Sequence, residues 1–337
     1  MDNKGLIFIP DISGFTRFVN EVEIEHSRLI IQELLEILVD ANESGLEVSE
    51  IEGDAILFYK FGEPPPLETL YRQVEKMFCA FHRSLFAYEH NRYCYCRSCT
   101  AAINLTLKVI THYGEFTGYH VRQFNKLIGK DIIVAHQLLK NDIDLHEYWL
   151  ITHDLAGEQV PPPRLDTWMN WSSSIRETDQ ENVPFVYTQL AGLKEQLKME
   201  PPERPDLSPK LKVLSVSRVY AFPIVPLFHA TGDFNYRSKW QEGIRAVEEV
   251  AHLLPRVGMR CRCILDNGET VIYSSSYTYA PEKIAFSETD ESSGVVNYFT
   301  LEAIDAGNTR LTIDQYMNRD FLAQLNYRLF KKKKQQA

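Results

Sequence analysis

The stretch EVSEIEGDAILFY (residues 47–59) carries strand-forming side chains on both sides of the dipeptide Gly53-Asp54. A Gly-Asp pair favours a tight reversal of the chain, and the flanking valine, isoleucine, leucine and tyrosine favour extended structure. The stretch therefore predicts a β-hairpin with Asp54 at its tip. We expect the first half of the chain to be organised around this hairpin.

A second carboxylate, Asp11, follows the apolar run LIFIP (residues 6–10) and precedes a pattern typical of a strand that turns into a helix. If this strand lies beside the hairpin, Asp11 and Asp54 meet at one edge of the sheet. Two carboxylates together hold a hard cation such as Mg²⁺. Backbone N–H groups next to the metal would then face phosphate oxygens. These N–H groups belong to Gly14, Phe15 and Thr16.

Each of these signals has a simpler explanation when it is taken alone. A Gly-Asp pair is often only a turn, and an aspartate after a strand is often only a helix cap. Their combination, spacing and order favour a metal and nucleotide site formed by Asp11 and Asp54.

The composition is that of a folded globular protein large enough for two domains. The chain has 337 residues, of which 44% are hydrophobic and 24% charged. The net charge of -10 argues against non-specific nucleic-acid binding, which depends on basic side chains. We interpret the run Lys331–Lys334 as a solvated tail and predict neither nucleic-acid nor membrane binding.

The N-terminus lacks the pattern of a signal peptide, and no apolar segment is long enough to cross a bilayer. The sequence therefore predicts a cytoplasmic location. The six cysteines do not form the pattern of a secreted disulfide framework, which agrees with that expectation.

Three cysteines, Cys94, Cys96 and Cys99, are crowded into one short segment. Their thiolates are candidate ligands for a structural Zn²⁺ ion. Reduced thiols without a metal are the alternative interpretation, because the C-x-C-x-x-C spacing is not that of a standard zinc ribbon. The candidates for a fourth ligand are Cys79, His82, His90 and His112.

Hydrophobic periodicity predicts an α+β fold for the first part of the chain. After the first strand, helices are predicted over residues 15–42, 67–88 and 131–140, and further strands over 105–115, 118–124, 149–152 and 183–190. This order is typical of a ferredoxin-like sandwich elaborated at its end. Proline-rich composition then predicts a linker at 199–209, which separates a domain at 1–198 from one at 210–337.

The second domain is predicted to be a largely antiparallel sheet with a terminal helix. Strands are predicted over residues 212–220, 260–266, 269–279, 283–289, 295–303 and 309–317. Short helices are predicted over 223–231 and 321–330. Cys261 and Cys263 alternate on one strand, and we assign no chemistry to them.

The segments FIPDISGFT (residues 8–16) and EIEGDA (50–55) resemble those of class III nucleotidyl cyclase catalytic domains. HYGE (112–115) and LIGKDIIVA (127–135) extend the similarity over roughly the first half of the chain. The resemblance implies that Asp11 and Asp54 bind two divalent metal ions, Mg²⁺ or Mn²⁺, with the Ile12 carbonyl as a further ligand. These metals would activate a ribose hydroxyl and hold the triphosphate.

The resemblance also assigns residues to base selection. Glu50 stands at the position where the family has glutamate for guanine, so GTP is favoured over ATP. The second base-selecting position aligns with Lys126, which matches neither choice of the family and blurs this preference.

Two departures from the family concern turnover. Ile133 and Gln137 align with an asparagine and an arginine that stabilise the transition state in the family. Losing such groups usually lowers the rate by roughly two to three orders of magnitude each. His136 and Lys140 are candidate substitutes, although an exposed helix face is the simpler interpretation. Binding of metal and nucleotide is therefore better supported than cyclisation.

The family shares its sites between two catalytic domains, so one such domain per chain implies a homodimer. The second domain resembles the START-like or polyketide-cyclase helix-grip fold through its element order and the position of Trp240. That resemblance implies an apolar pocket, which Trp240, Phe228, Tyr277 and Phe299 could line; equally, they could be core residues.

Two functional hypotheses follow from the sequence. The first is a cyclase-like signalling protein that binds a divalent metal and a nucleoside triphosphate, with weak or lost cyclase activity. The alternative is a protein that binds a small apolar molecule through its C-terminal domain and uses the cyclase-like half as a dimerising scaffold.

Overall fold

The computed structural model describes residues 3–22, 24–94, 96–157, 160, 162–178, 182–197, 205–249, 254, 256–266 and 268–319. The chain divides into two compact units. The first comprises residues 1–89 and 95–199, and the second comprises residues 90–94 and 200–337. Residues 199–204 of the predicted linker and the predicted helix at 321–330 lie outside the described residues.

The first unit is a mixed α+β structure, as the sequence predicted. Its strands are β1 (Lys4–Ser13), β2 (Glu47–Glu52), β3 (Ala55–Phe61), β4 (Thr106–Glu115), β5 (Thr117–Val121), β6 (Phe124–Ile128), β7 (Tyr148–Thr152), β8 (Trp171–Glu177) and β9 (Asn182–Gln189). Its helices are α1 (Phe15–Glu21), α2 (Ile24–Asp40), α3 (Leu67–Asn91), α4 (Arg97–Ala101), α5 (Lys130–Leu138), α6 (His153–Ala156) and α7 (Ala191–Gln196).

Within the described residues, the main sheet of this unit has seven strands in the order β2-β3-β1-β4-β7-β9-β8. Neighbouring strands are antiparallel except β4 and β7, which are parallel. A parallel pair needs a crossover, and α5, which packs against β4, lies in the connection between the two. Strands β5 and β6 form a separate hairpin.

Strand β1 lies inside the sheet because it is apolar along nearly its whole length. All of its residues from Gly5 to Ser13 are buried, which fits a strand covered on both faces. It pairs with β3 on one side and β4 on the other, and Asp11 lies opposite Ala55. This register brings the end of β1 next to the tip of the β2–β3 hairpin.

Two of the predicted elements need correction, and one strand of the first unit was missed. The helix predicted over 15–42 is interrupted, because Val22 takes an extended conformation (φ -127°, ψ 169°) and separates α1 from α2. The strand predicted over 118–124 is a hairpin made of β5 and β6. Strand β8 was not predicted, since its serine-rich sequence is largely exposed at the sheet edge and lacks apolar alternation.

One hydrophobic core of the first unit forms where α5 packs against the sheet. Apolar side chains from β1, β3, β4 and β7 contact the helix and are almost completely buried. The core includes Ile7, Ile9, Leu57, Ile110, Ile132, Ala135, Leu138 and Leu150. This packing fixes α5 over the sheet beside Asp11, and therefore places its exposed side over the acidic residues.

The second unit is built on an antiparallel sheet. Its strands are β10 (Lys210–Tyr220), β11 (Ile244–Glu249), β12 (Arg260–Leu265), β13 (Gly268–Ala280), β14 (Lys283–Asp290), β15 (Val296–Ala303) and β16 (Thr309–Asn318), and helix α8 spans Ile224–Gly232. In the described residues the strand order is β10-β16-β15-β14-β13-β12-β11. Strand β11 was not predicted. The helix-grip assignment stays a prediction.

The aromatic residues assigned to an apolar pocket have different environments. Phe228 and Phe299 are buried in one core, and Phe286 lies between them at ring distances of 5.5 and 4.5 Å. Tyr277 lies 5.4 Å from Phe228, whereas Trp240 is 40% exposed. These contacts favour the interpretation as core residues for Phe228, Tyr277 and Phe299. Cys261 and Cys263 are also buried in the core.

The second unit contains a buried ion pair. Arg237, from a 3₁₀ turn at Phe234–Lys239, contacts Glu288 of β14, and the two side chains are only 2% and 1% exposed. The guanidinium also lies over the rings of Phe234 and Trp240. Burial raises the pKa of Glu288, and the neighbouring Arg237 opposes that shift.

None of the helices in the described part of the chain combines the length and the apolar composition that crossing a bilayer would require.

Candidate functional site

The predicted acidic residues line one cleft of ≈ 930 Å³ in the first unit. Its walls come from the end of β1, the β2–β3 hairpin, β4 and the exposed side of α5. The cleft contains the predicted residues Asp11, Gly14, Phe15, Thr16, Glu50 and Asp54, together with Ile133, His136, Gln137 and Lys140. Residues that are far apart in the sequence thus share one concave surface.

The two aspartates are neighbours because of the strand pairing. Asp11 lies opposite Ala55 on the adjacent strand, and the Ile12 N–H donates a 3.0 Å hydrogen bond to the Asp54 carbonyl. Asp54 therefore occupies the turn directly beside Asp11, as the hairpin predicted. Ile12 itself is fully buried, and the role of its carbonyl as a metal ligand stays a prediction.

Burial disfavours the charged form of both aspartates, Asp11 and Asp54. The pKa of Asp11 is raised to about 6, mainly by burial; Lys108 opposes the shift, and the nearby Asp54 adds to it. Burial also raises the pKa of Asp54. The Lys108 ammonium lies 3.5 Å from Asp11 Oδ1 and donates to the Leu139 carbonyl at 3.1 Å. A cation bound between the carboxylates would offset the cost of burying their charge.

The raised pKa of Asp11 predicts that a metal bound at this carboxylate would bind in a pH-dependent way. Protons compete with the metal for this carboxylate, so the affinity for Mn²⁺ should be steady above about pH 7 and fall roughly tenfold per pH unit below about pH 6. Mn²⁺ titrations across this range measure the effect. Asp11→Asn should bind more weakly and lose the step near pH 6; a wild-type affinity that is flat through pH 6 would contradict the assignment.

Lys108 is a site residue that the sequence analysis did not identify. It is the charged residue within an otherwise apolar segment of β4, between Leu107 and Val109, which are both fully buried. Its side chain is only 13% exposed. A buried lysine on a central strand requires a nearby acid, and this was the available signal.

The turn at Gly14 also lines the cleft. Gly14 has φ 89°, a left-handed conformation that glycine adopts readily, and α1 begins at the next residue. The Ser13 hydroxyl next to it is buried and has no hydrogen-bond partner among the described residues. The turn therefore presents a polar group, and the first N–H groups of α1, at the edge of the cleft.

The two predicted base-selecting residues lie together. The Lys126 ammonium forms an ion pair with Glu50 Oε2, and His136 Nε2 lies 3.8 Å from Glu50 Oε1. Lys126 extends from β6, and Glu50 from β2. A glutamate paired in this way keeps acceptor oxygens, but its charge is compensated, which weakens its preference for the donors of guanine.

Helix α5 presents three residues to the cleft, and a fourth residue, Lys140, follows the end of the helix. Ile133 is 57% exposed, and Gln137 lies one turn later. His136 and Lys140 also line the cleft. Their role as substitutes for the family's residues stays a prediction.

The cysteine segment lies elsewhere in the first unit. Cys96 Sγ and Cys99 Sγ lie 3.4 and 3.5 Å from His26 Nδ1, and His26 was not among the predicted fourth ligands. His82 and His112 are not available for this role, because their Nε2 atoms lie 3.2 Å from Glu147 and Asp131, respectively. No local pattern pointed to His26, which is separated by some seventy positions from the thiols.

Comparisons with known proteins give two sequence matches. Residues 31–148 match a family model described as "Protein of unknown function (DUF2652)". An uncharacterised protein of Mycobacterium tuberculosis is 30% identical over 133 residues, which are 37% of this chain and 58% of that protein. The chain thus spans less than two thirds of the length of this relative. The matched family segment contains Glu50, Asp54 and the three clustered cysteines, whereas Asp11 and Gly14 precede it.

Similar solved structures are nucleotide cyclase domains. The guanylate cyclase domain from Catenaria anguillulae in complex with GTP has 14% identity and a TM-score of 0.40, and the match covers 56% of this chain and 97% of that domain. An adenylyl cyclase from P. aeruginosa has 15% identity and a TM-score of 0.39, covering 55% and 93%.

Proposed function

We propose that the first unit binds a divalent metal ion and a nucleoside triphosphate in the cleft at Asp11 and Asp54. The observation that carries the proposal is the convergence of two partly desolvated carboxylates with the Gly14 turn in one cavity. The carboxylates supply the oxygen ligands that Mg²⁺ and Mn²⁺ prefer, and the turn supplies N–H donors for phosphate.

Lys108 favours a site for one ion. Its ammonium already supplies one positive charge beside Asp11, and the two aspartates carry two negative charges. One divalent ion together with Lys108 compensates the pair, whereas a second ion would repel the lysine. We therefore propose a single Mg²⁺ or Mn²⁺ ion, which would neutralise charge on the triphosphate when bound.

The residues of α5 that line the cleft favour nucleotide binding over cyclisation. Ile133 offers no hydrogen bond, and Gln137 offers no charge at the positions where the resemblance implies stabilisation of the transition state. His136 and Lys140 line the cleft together with Arg17 and Lys108, and their side chains can donate hydrogen bonds to a triphosphate. We propose that cyclisation is weak or absent, and that His136 and Lys140 contribute to phosphate binding.

The test of this function uses each of the four nucleoside triphosphates with Mg²⁺ or Mn²⁺. We expect binding by calorimetry that disappears with EDTA, and a preference for GTP over ATP of only a few-fold, because Lys126 compensates Glu50. Mass spectrometry of the incubated nucleotides reports turnover. Metal-dependent binding of none of the four would reject the proposal, and rapid formation of a cyclic product would reject the statement on turnover.

We also propose that a second copy of the chain covers a groove next to the cleft. The groove, of ≈ 690 Å³, is lined by apolar residues of α1, α2 and β2, including Val19, Ile24 and Ile51. Ile24 is 79% exposed and Ile51 is 53% exposed. Phe15 lines both the groove and the cleft, so a copy bound here would close one side of the nucleotide site.

Ile51→Asp should convert a dimer into a monomer, because it places a charge in the proposed apolar contact. Light scattering measures the mass. Ile175→Asp is the matched control, since Ile175 is 59% exposed on β8 at the opposite edge of the same sheet. The assignment would be contradicted if the wild-type protein were a monomer. It would also be contradicted if Ile175→Asp dissociated the dimer and Ile51→Asp did not.

A further inference from the structure

We infer that His26, Cys94, Cys96 and Cys99 hold a structural zinc ion. This site is independent of the acidic cleft. His26 lies in the first turn of α2, Cys96 caps α4, and Cys99 lies within α4. The site would therefore join two helices that are already in contact.

The geometry matches a tetrahedral zinc site. Zinc binds sulfur at about 2.3 Å and histidine nitrogen at about 2.05 Å, so a sulfur and a nitrogen on one tetrahedral ion are roughly 3.6 Å apart. His26 Nδ1 lies 3.4 Å from Cys96 Sγ and 3.5 Å from Cys99 Sγ. The ligand atoms of these residues and of Cys94 all lie within 4.8 Å of one another.

Hydrogen bonding alone explains this arrangement less well. A neutral histidine nitrogen has one lone pair and accepts from one thiol, yet two sulfurs lie at nearly equal distances from His26 Nδ1. A metal ion on that lone pair brings both sulfurs to this distance at once. The Cys99 N–H also points to Cys96 Sγ at 3.4 Å, a contact that stabilises a thiolate ligand.

The choice of zinc follows from the donor set. Cysteine sulfur with one histidine nitrogen is a common structural zinc combination, and carboxylates, which magnesium and calcium prefer, are absent from this group of ligands. Cys94 is separated from Cys96 by a single residue and is the thiol that the chain itself supplies for the fourth position. Four protein ligands leave no open position, which makes the site structural.

A zinc ion at this site would restrain the first turn of α2, which contains His26. Both α1 and α2 contact α4, and α1 begins at the Gly14 turn. A zinc ion on His26 and Cys99 would hold α2 against α4, and would thereby restrain the residues that follow the turn. Removal of the metal should lower the melting temperature of the first unit.

The experiment is elemental analysis of the full chain, purified with a reducing agent and without chelator. We expect about one zinc per chain, and a loss of most of it in His26→Ala and in Cys96→Ser. The controls are Cys79→Ser, which removes a half-buried thiol of α3 outside the group, and His120→Ala, which removes an exposed histidine. Both controls should keep the zinc of the wild-type protein.

A second measurement does not depend on the variants folding. The wild-type protein, stripped of zinc and loaded with Co²⁺, should show the strong visible absorption of tetrahedral cobalt with thiolate ligands. Wild-type protein without zinc, iron in place of zinc, a disulfide among the three cysteines, or zinc content unchanged in His26→Ala would each overturn the inference.

Discussion

Asp54→Asn is expected to lower the affinity for a metal-bound nucleoside triphosphate by at least about a hundredfold, because loss of even an outer partner of a metal ligand lowers affinity 10–100-fold. The folded protein should survive the change. Burial raises the pKa of Asp54, so the folded state disfavours its charge, and a neutral asparagine removes that penalty. Calorimetry with GTP and Mg²⁺ measures binding, and thermal melting in EDTA measures stability.

The matched control is Asp154→Asn, which changes an exposed aspartate of the same unit outside the cleft. It should bind nucleotide as the wild-type protein does. Unchanged binding in Asp54→Asn would reject the proposed site. Lost binding together with a lower melting temperature in EDTA would assign Asp54 a structural role in the hairpin instead.

Glu288→Gln should destabilise the second unit by about 3–5 kcal/mol, since removing one partner of a buried ion pair leaves the other charge without compensation. Arg237 would keep its charge at 2% exposure, with the rings of Phe234 and Trp240 beside it. Hydrogen exchange of peptides from β13 and β14 measures the opening free energy of this unit specifically.

Glu302→Gln is the control for this prediction. Glu302 pairs with Lys283 at 2.9 Å in the same sheet, but the side chains are 42% and 57% exposed. Exposed pairs contribute about 0–1 kcal/mol, so this change should be nearly neutral. The double substitution Arg237→Met with Glu288→Leu should recover most of the lost stability. A small effect of Glu288→Gln would contradict the ion pair.

The parts of the fold that the sequence predicted well are those set by local signals. Gly53-Asp54 fixed the hairpin, and the apolar run before Asp11 indicated a central strand. The strand pairing then brought the two carboxylates together, as expected from their positions at the ends of neighbouring strands. Their roles in metal and nucleotide binding stay predictions.

The features that escaped sequence reasoning depend on distant partners or on weak local patterns. His26 meets the thiols only because α2 packs against α4, and nothing near His26 in the sequence indicates this. Strand β8 is held in place by pairing with β9 while its serines stay exposed, so hydrophobic periodicity is missing. Pairing of Lys126 with Glu50 likewise depends on the placement of a hairpin.

The position of β1 at the interior of its sheet has a consequence for the nascent chain. During translation, Asp11 and Asp54 leave the ribosome together with both strands that bring them side by side, whereas β4 and its Lys108 follow only some fifty residues later. Until then the two carboxylates repel each other without their compensating lysine. A divalent ion at the proposed metal site would compensate the two carboxylates during that interval, before the sheet is complete.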